Sequence, residues 1–224
     1  MTAQPASLIT AGRTPTGERC AVKQLRPGDG NREDLALRLD NECRVLQHLA
    51  GTPGVIRLLG VREDPLALLL EWADGGSLDD WLCGESAVDA ERIRFARDLV
   101  AAVAACHARG VTHRDIKPSN LLLVGAQLRV ADFGLAAWGT PRRALPDGWE
   151  EDGVGTPPWS APELGRGGDA SVAPAVDIYG VARTLGVLLP AGELAAGRIT
   201  DWMAAALSEV PSDRPAFDRL LTLL

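Results

Sequence analysis

The sequence predicts an α+β fold in two lobes, and three observations predict it. Apolar strand-like runs crowd residues 7–72, helical patterns dominate the remainder, and a flexible DGGS joint at 74–77 separates the two regions. The third is bulk composition: 224 residues, 46% hydrophobic and 24% charged, suit one globular domain or two small ones.

Taken in order, SLITAGR (7–13) and RCAVKQL (19–25) flank the turn-like TPTG and read as a hairpin. Leu35, Leu39, Val45, Leu46 and Leu49 recur at close to helical spacing, so residues 32–50 are a predicted helix that GTPG ends. VIRLLGV (55–61) and LALLLEW (66–72) are predicted strands separated by REDP. After the joint, SLDDWL reads as a short helix with Ser77 as its N-cap. Residues 88–109 place Ile93, Ala96, Val100, Val103, Ala104 and His107 on one side of a long amphipathic helix, which Gly110 stops. The polar run HRDIKPSN (113–120) follows; proline after Lys117 prevents it from continuing the helix. LLLV and LRVAD are two short strands around GAQ. Residues 134–160 are rich in Gly, Pro and acids and exceed ordinary loop length, which marks a functional or disordered segment. Helices near 174–189, 199–209 and 215–223 close the chain.

The formal net charge of −7 gives no electrostatic footprint for nucleic acid and no polybasic patch for a membrane surface. No apolar run approaches the roughly 18 residues of a membrane span, and MTAQPASLIT lacks the basic start and apolar core of a secretory signal. Cys20, Cys43, Cys83 and Cys106 are scattered with no C-x-x-C pair, so buried or free thiols in a reducing, cytoplasmic setting are expected, not zinc or a disulfide framework.

Six short motifs occur in one order: CAVK ending at Lys23, HRDIKPSN, ADFGLA around Asp132–Phe133–Gly134, GTPPWSAPE at 155–163, VDIYGVA at 176–182 and SDRP at 212–215. With these the chain resembles a protein kinase of the Ser/Thr side and of bacterial type. The resemblance covers nearly the whole chain as a single domain, 1–224. It implies a bilobal kinase fold: a small, mostly β N-lobe with one helix over 1–73 and a larger, mostly α C-lobe over 74–224.

The resemblance also implies phosphoryl transfer from ATP to a protein Ser/Thr hydroxyl, a reaction that asks mainly for positioning and charge neutralisation. Asp115 is the implied base, Lys117 offsets charge on the transferring group, and Thr156 contacts both. Asn120 and Asp132 are the implied Mg²⁺ ligands, oxygen donors of the kind the ion prefers. Lys23 is implied over the phosphates, oriented by Glu42 nineteen positions on, with Glu33 as a rival nearer the helix start. For adenine, the resemblance places a hinge at Glu71–Trp72–Ala73, with Glu71 and Ala73 backbone groups on the base, Ala21 and Leu122 sandwiching it, and Leu70 guarding the pocket behind. His113 and Arg114 of the loop, Phe133 and Gly134 of DFG, Asp177, and a Glu163–Arg214 ion pair take structural roles. By spacing, Leu46 and Leu58 are expected to pack with His113 and Phe133, and His48 and His107 are expected to be ordinary helix-face residues.

Lysine usage supports this independently. Of 23 basic residues only Lys23 and Lys117 are lysines, one pair among about 250, at the two places where a compact ammonium rather than a planar guanidinium suits phosphate oxygens.

The pattern departs from the family at three places. Counting back from Lys23, the Val of the Gly-rich loop falls on Leu8 and its glycines on Met1, Ala3 and Ala6, where side chains obstruct close approach to phosphate. A start set downstream of the true one, a truncated chain, or a kinase-like protein with weakened ATP binding would each give this; the first is preferred because everything after Leu8 is intact. The C-lobe is shortened near 189–199, where only PAGELAAGR joins two helices and the family has room for another. Between Asp132 and Thr156 only Thr140 carries a hydroxyl, and Glu150, Glu151 and Asp152 are hypothesised to stand in part for an activating phosphate opposite Arg114. Two rivals remain: a non-catalytic kinase-like scaffold and a small-molecule phosphotransferase of similar fold.

Overall fold

The computed structural model describes residues 7–26, 33–84, 88–138, 155–166, 173–195 and 197–224. Met1, Ala3, Ala6, Thr140, Glu150, Glu151 and Asp152 lie outside them, as does the contact expected between those acids and Arg114.

The chain opens with a four-stranded antiparallel sheet of order β1-β2-β4-β3, from β1 (Ser7–Arg13), β2 (Arg19–Leu25), β3 (Leu58–Glu63) and β4 (Leu66–Glu71). The hairpin forms where TPTG predicts it, with Ile9 opposite Lys23, and β2 then pairs Lys23 with Leu68 of β4. Helix α1 (Glu33–His48) packs its apolar stripe of Leu35, Leu39, Val45 and Leu46 inward. Val55 and Ile56, expected to begin a strand, instead turn toward the other lobe: Val55 bridges Val130 and Ile56 N–H donates to the Val130 carbonyl at 3.0 Å.

Below the joint lies a mostly helical body. Short α2 (Leu78–Leu82) carries a complete capping box, Ser77 and Asp80 each satisfying the other's backbone N–H. Helix α3 (Asp89–Ala108) is the long central helix, and Gly110 (φ 72) ends it. Its buried face is Phe95, Ala96, Leu99, Val100, Ala102, Val103 and Cys106, rotated from the expected stripe, because the helix is covered on two sides. Two short pairs frame the polar loop: β5 (Val111–Thr112) with β8 (Ala137–Trp138), and β6 (Leu121–Val124) with β7 (Gln127–Val130).

Helix α4 (Ala175–Leu188) is buried along most of its length, followed by α5 (Ala191–Ala195), α6 (Arg198–Ala206) and α7 (Phe217–Leu221). The stretch expected to be only a connection thus contains a one-turn helix, α5. At Gly180 a Cβ would lie 3.0 Å from the Ile116 carbonyl oxygen, so glycine lets α4 seat against the polar loop. One continuous apolar cluster runs from Leu39 and Leu70 through Phe133 and Leu99 to Leu185 and Leu220, joining both lobes.

Candidate active site

The loop after β5 holds its polar residues in a fixed array. Asp177, fully buried on α4, accepts the His113 backbone N–H on Oδ2 and that of Arg114 on Oδ1, both at 2.8 Å. Arg114 consequently adopts φ 71, a conformation costly for a side-chain-bearing residue unless its surroundings impose it. The His113 ring donates from Nε2 to the Ala131 carbonyl (2.9 Å), accepts the Asp115 N–H on Nδ1 (3.2 Å) and meets the Phe133 ring edge-on at 4.7 Å. These contacts tie the Ala131 carbonyl, the Asp115 backbone and the Phe133 ring to one imidazole.

Asp115, so placed, is surrounded by the other loop residues. Its Oδ2 contacts Lys117 Nζ at 2.7 Å and accepts from Asn120 Nδ2 at 2.9 Å. Thr156, arriving from the far segment, donates to Asp115 Oδ1 at 3.2 Å and accepts from Lys117 at 2.5 Å.

Across the cleft, Lys23 Nζ lies 2.6 Å from Glu42 Oε2 and 2.8 Å from Asp132 Oδ1. Glu33 forms no part of this array; it opens α1 as a first-turn acid. Asp132 sits at φ 62, the second strained non-glycine residue at the site. A cavity of about 620 Å³ joins the two arrays. Leu8, Lys23, Glu42, Leu70, Asp115, Lys117, Asn120, Leu122, Asp132, Gly134 and Thr156 all line it; Ala21, Glu71 and Ala73 do not. Ala21 pairs with Leu70 across the sheet, while the Glu71 side chain is turned away onto Arg57 at 2.8 Å. Glu163 and Arg214 form the expected buried pair, bidentate at 2.5 and 2.8 Å.

The protein kinase domain family matches residues 5–210. The chain belongs to the protein kinase family. It is 35% identical over 190 residues to CBL-interacting serine/threonine-protein kinase 26 of Arabidopsis thaliana, covering 82% of this chain and 42% of that protein. It is 33% identical over 192 residues to CBL-interacting serine/threonine-protein kinase 24 of the same plant (80% and 40%), and 32% identical over 186 residues to Death-associated protein kinase dapk-1 of Caenorhabditis elegans (79% and 13%). The chain spans less than half the length of these relatives.

In this kinase-family chain the electrostatics follow from the unequal count of charges around Lys23. Burial alone would lower the ammonium's pKa, but Glu42 and Asp132 together hold it raised. Burial pushes the Glu42 carboxyl up to about 7, against the pull of Lys23, which it shares with Asp132. Desolvation would raise Asp132 too, yet Lys23 holds it below the usual carboxylate range. Asp177 is likewise held low: burial opposes its charge, and the His107 hydrogen bond with the two imidazoles overrides it.

Two contributors escaped the sequence reading. His107, expected to be an ordinary helix-face residue, donates from Nε2 to Asp177 Oδ2 at 2.8 Å and so supports the loop from behind. Asn41, adjacent to Glu42, donates to three backbone carbonyls of the DFG segment.

No helix among the described residues is long and apolar enough to cross a membrane.

Proposed function

We propose that the chain is a Ser/Thr protein kinase that transfers the γ-phosphoryl of ATP, with Mg²⁺, to a protein hydroxyl. The observation that carries this reading is the Asp115–Lys117–Asn120–Thr156 array facing the Lys23–Glu42–Asp132 array across one cavity.

The donor set fits Mg²⁺. With its amide nitrogen spent on Asp115, Asn120 has its carbonyl oxygen to offer; with Oδ1 on Lys23, Asp132 retains Oδ2. When bound, the ion supplies neutralisation of phosphate charge. The chain's own residues do the rest. Lys23 holds the phosphates, its position set by Glu42. Asp115 Oδ1 takes the proton of the substrate hydroxyl as that oxygen bonds to the γ-phosphorus and the bond to the bridging oxygen breaks, leaving a phosphoester and ADP. The Thr156 hydroxyl now donates to that same Oδ1, so it yields or shares the position when substrate enters. Lys117 keeps the Asp115 carboxylate aimed and adds positive charge beside it. Leu8, Leu70 and Leu122, which line the cavity, supply an apolar slot for the adenine, while Ala21, Glu71 and Ala73 lie outside its lining. Buried Cys20, Cys43 and Cys106 and exposed Cys83 are free thiols, which suits a cytoplasmic setting.

The test is transfer of labelled γ-phosphate from ATP–Mg²⁺ to a generic Ser/Thr-rich protein. Asp115→Asn is expected to lose about 10²–10⁴-fold in rate while nucleotide still binds. Equal transfer by the variant rejects the assignment. A kinase-like scaffold is the second reading, favoured by the absence of glycine at Met1, Ala3 and Ala6; nucleotide binding without transfer by the unaltered chain would select it. Transfer only to small molecules would select a small-molecule phosphotransferase.

A further inference from the structure

We propose that Asn41 is a positioning residue: its amide latches α1 to the DFG segment and thereby holds Glu42 on Lys23. The inference deepens the kinase reading and rests on it for its activity readout.

Consecutive helical residues point roughly 100° apart, so Asn41 and Glu42 leave α1 in different directions. Glu42 faces Lys23. Asn41 faces the backbone that follows Asp132. Its Nδ2 lies 3.3 Å from the Phe133 carbonyl oxygen, 3.2 Å from that of Gly134 and 2.9 Å from that of Ala136. All three partners are acceptors, so only the NH₂ side of the amide fits, and a carboxylate there would meet three carbonyl oxygens. The segment presents these carbonyls together because it is folded into a single 3₁₀ turn, Phe133–Leu135, closed by Ala136 N–H on the Phe133 carbonyl at 3.0 Å.

The turn begins directly after Asp132, which itself binds Lys23. One amide therefore ties the helix that carries Glu42 to the strand end that carries Asp132. The triangle Lys23–Glu42–Asp132 closes only while those two elements keep their spacing. A second tie lies on the same helix face seven residues on, two turns away. The His48 ring stacks on Trp138 at 4.3 Å and its Nε2 donates to the Arg109 carbonyl at 2.9 Å, while Arg109 Nη2 returns a hydrogen bond to the His48 carbonyl at 2.5 Å. That outer tie is solvent-exposed, whereas Asn41 is partly buried, so Asn41 carries more of the restraint.

The test compares Asn41→Leu, Asn41→Asp and Asn41→Ser. Leu keeps the size and removes the donor; Asp keeps the shape and reverses the polarity; Ser retains one shorter donor. With ATP–Mg²⁺ and a saturating protein substrate, kcat is expected to fall roughly tenfold in Leu, further in Asp and least in Ser, with KM for ATP moving less than about threefold. Hydrogen–deuterium exchange across 33–48 and 131–138 rises in the same order, while exchange in α4 is unchanged. A merely structural role would leave kcat per folded molecule intact. Values of kcat within twofold of wild type in all three variants, or unchanged exchange across 131–138, overturn the proposal. If the unaltered chain transfers no phosphate, the kinase reading fails; exchange across 131–138 then decides the latch by itself.

Discussion

Glu42 is buried, and Lys23 has one ammonium for two carboxylates, so its pull does not offset the burial. Burial raises the Glu42 carboxyl to about 7, since Lys23 is shared with Asp132. The sign follows: above about 7 Glu42 is ionised and orients Lys23, and below it the proton removes that charge. Phosphoryl transfer should therefore decline on the acid side with a midpoint near 7. Glu42→Gln should flatten that limb and run about ten- to a hundredfold slower at pH 8, the scale of a lost charge-assisted hydrogen bond. A pH–rate profile of both proteins checks this; an unshifted acid limb in the variant would exclude Glu42 as its source. The residues legible from sequence are those whose side-chain chemistry is itself the signal: Lys23, Asp115, Lys117, Asn120 and Asp132. Asn41 and His107 were not legible as site residues because their partners, three carbonyls and a distant Asp, carry no local pattern.

Elements were legible where a local rule decides them and blurred where packing does. SLDD announced α2 through its cap, and the box is complete: the Ser77 hydroxyl accepts the Asp80 N–H at 3.1 Å and the Asp80 carboxylate accepts the Ser77 N–H at 3.1 Å. The Ser77 hydroxyl also bonds that carboxylate, which holds Asp80 below its usual range. Ser77→Ala should cost about 1 kcal/mol of stability, read from the urea midpoint at constant m-value. A change of m-value would mean that the joint itself had loosened. By contrast, the stripe on α3 was misjudged because two sides of the helix are covered, and α5 was missed because five residues give no periodicity. Val55 and Ile56 read as strand from their β-branched side chains, yet their backbone groups serve the opposite lobe.

At the scale of the molecule, that diversion adds a backbone tie between the lobes to the apolar core they share. Val130 N–H donates to the Gly54 carbonyl at 2.8 Å, and Ile56 N–H donates back to Val130 at 3.0 Å. The two-lobed order was legible because strands precede helices; this tie was not, since backbone pairing between distant segments leaves no sequence period. Gly54 is its tightest point. It sits at φ 76, and a Cβ there would lie 2.4 Å from the Ala102 Cβ of α3. Gly54→Ala must therefore accept left-handed strain and push a β loop away from a central helix. A cost of about 3 kcal/mol is expected from the two together. Because the main apolar cluster is continuous across the lobes, the loss should not fall on one lobe alone. In the unaltered chain, urea unfolding followed by hydrogen exchange in β2 and β4 and in α4 and α6 should give coincident midpoints. Gly54→Ala should lower both by the same amount. Midpoints that separate in the variant but coincide in the unaltered chain would locate the coupling in the Gly54–Val130 tie rather than in the shared core.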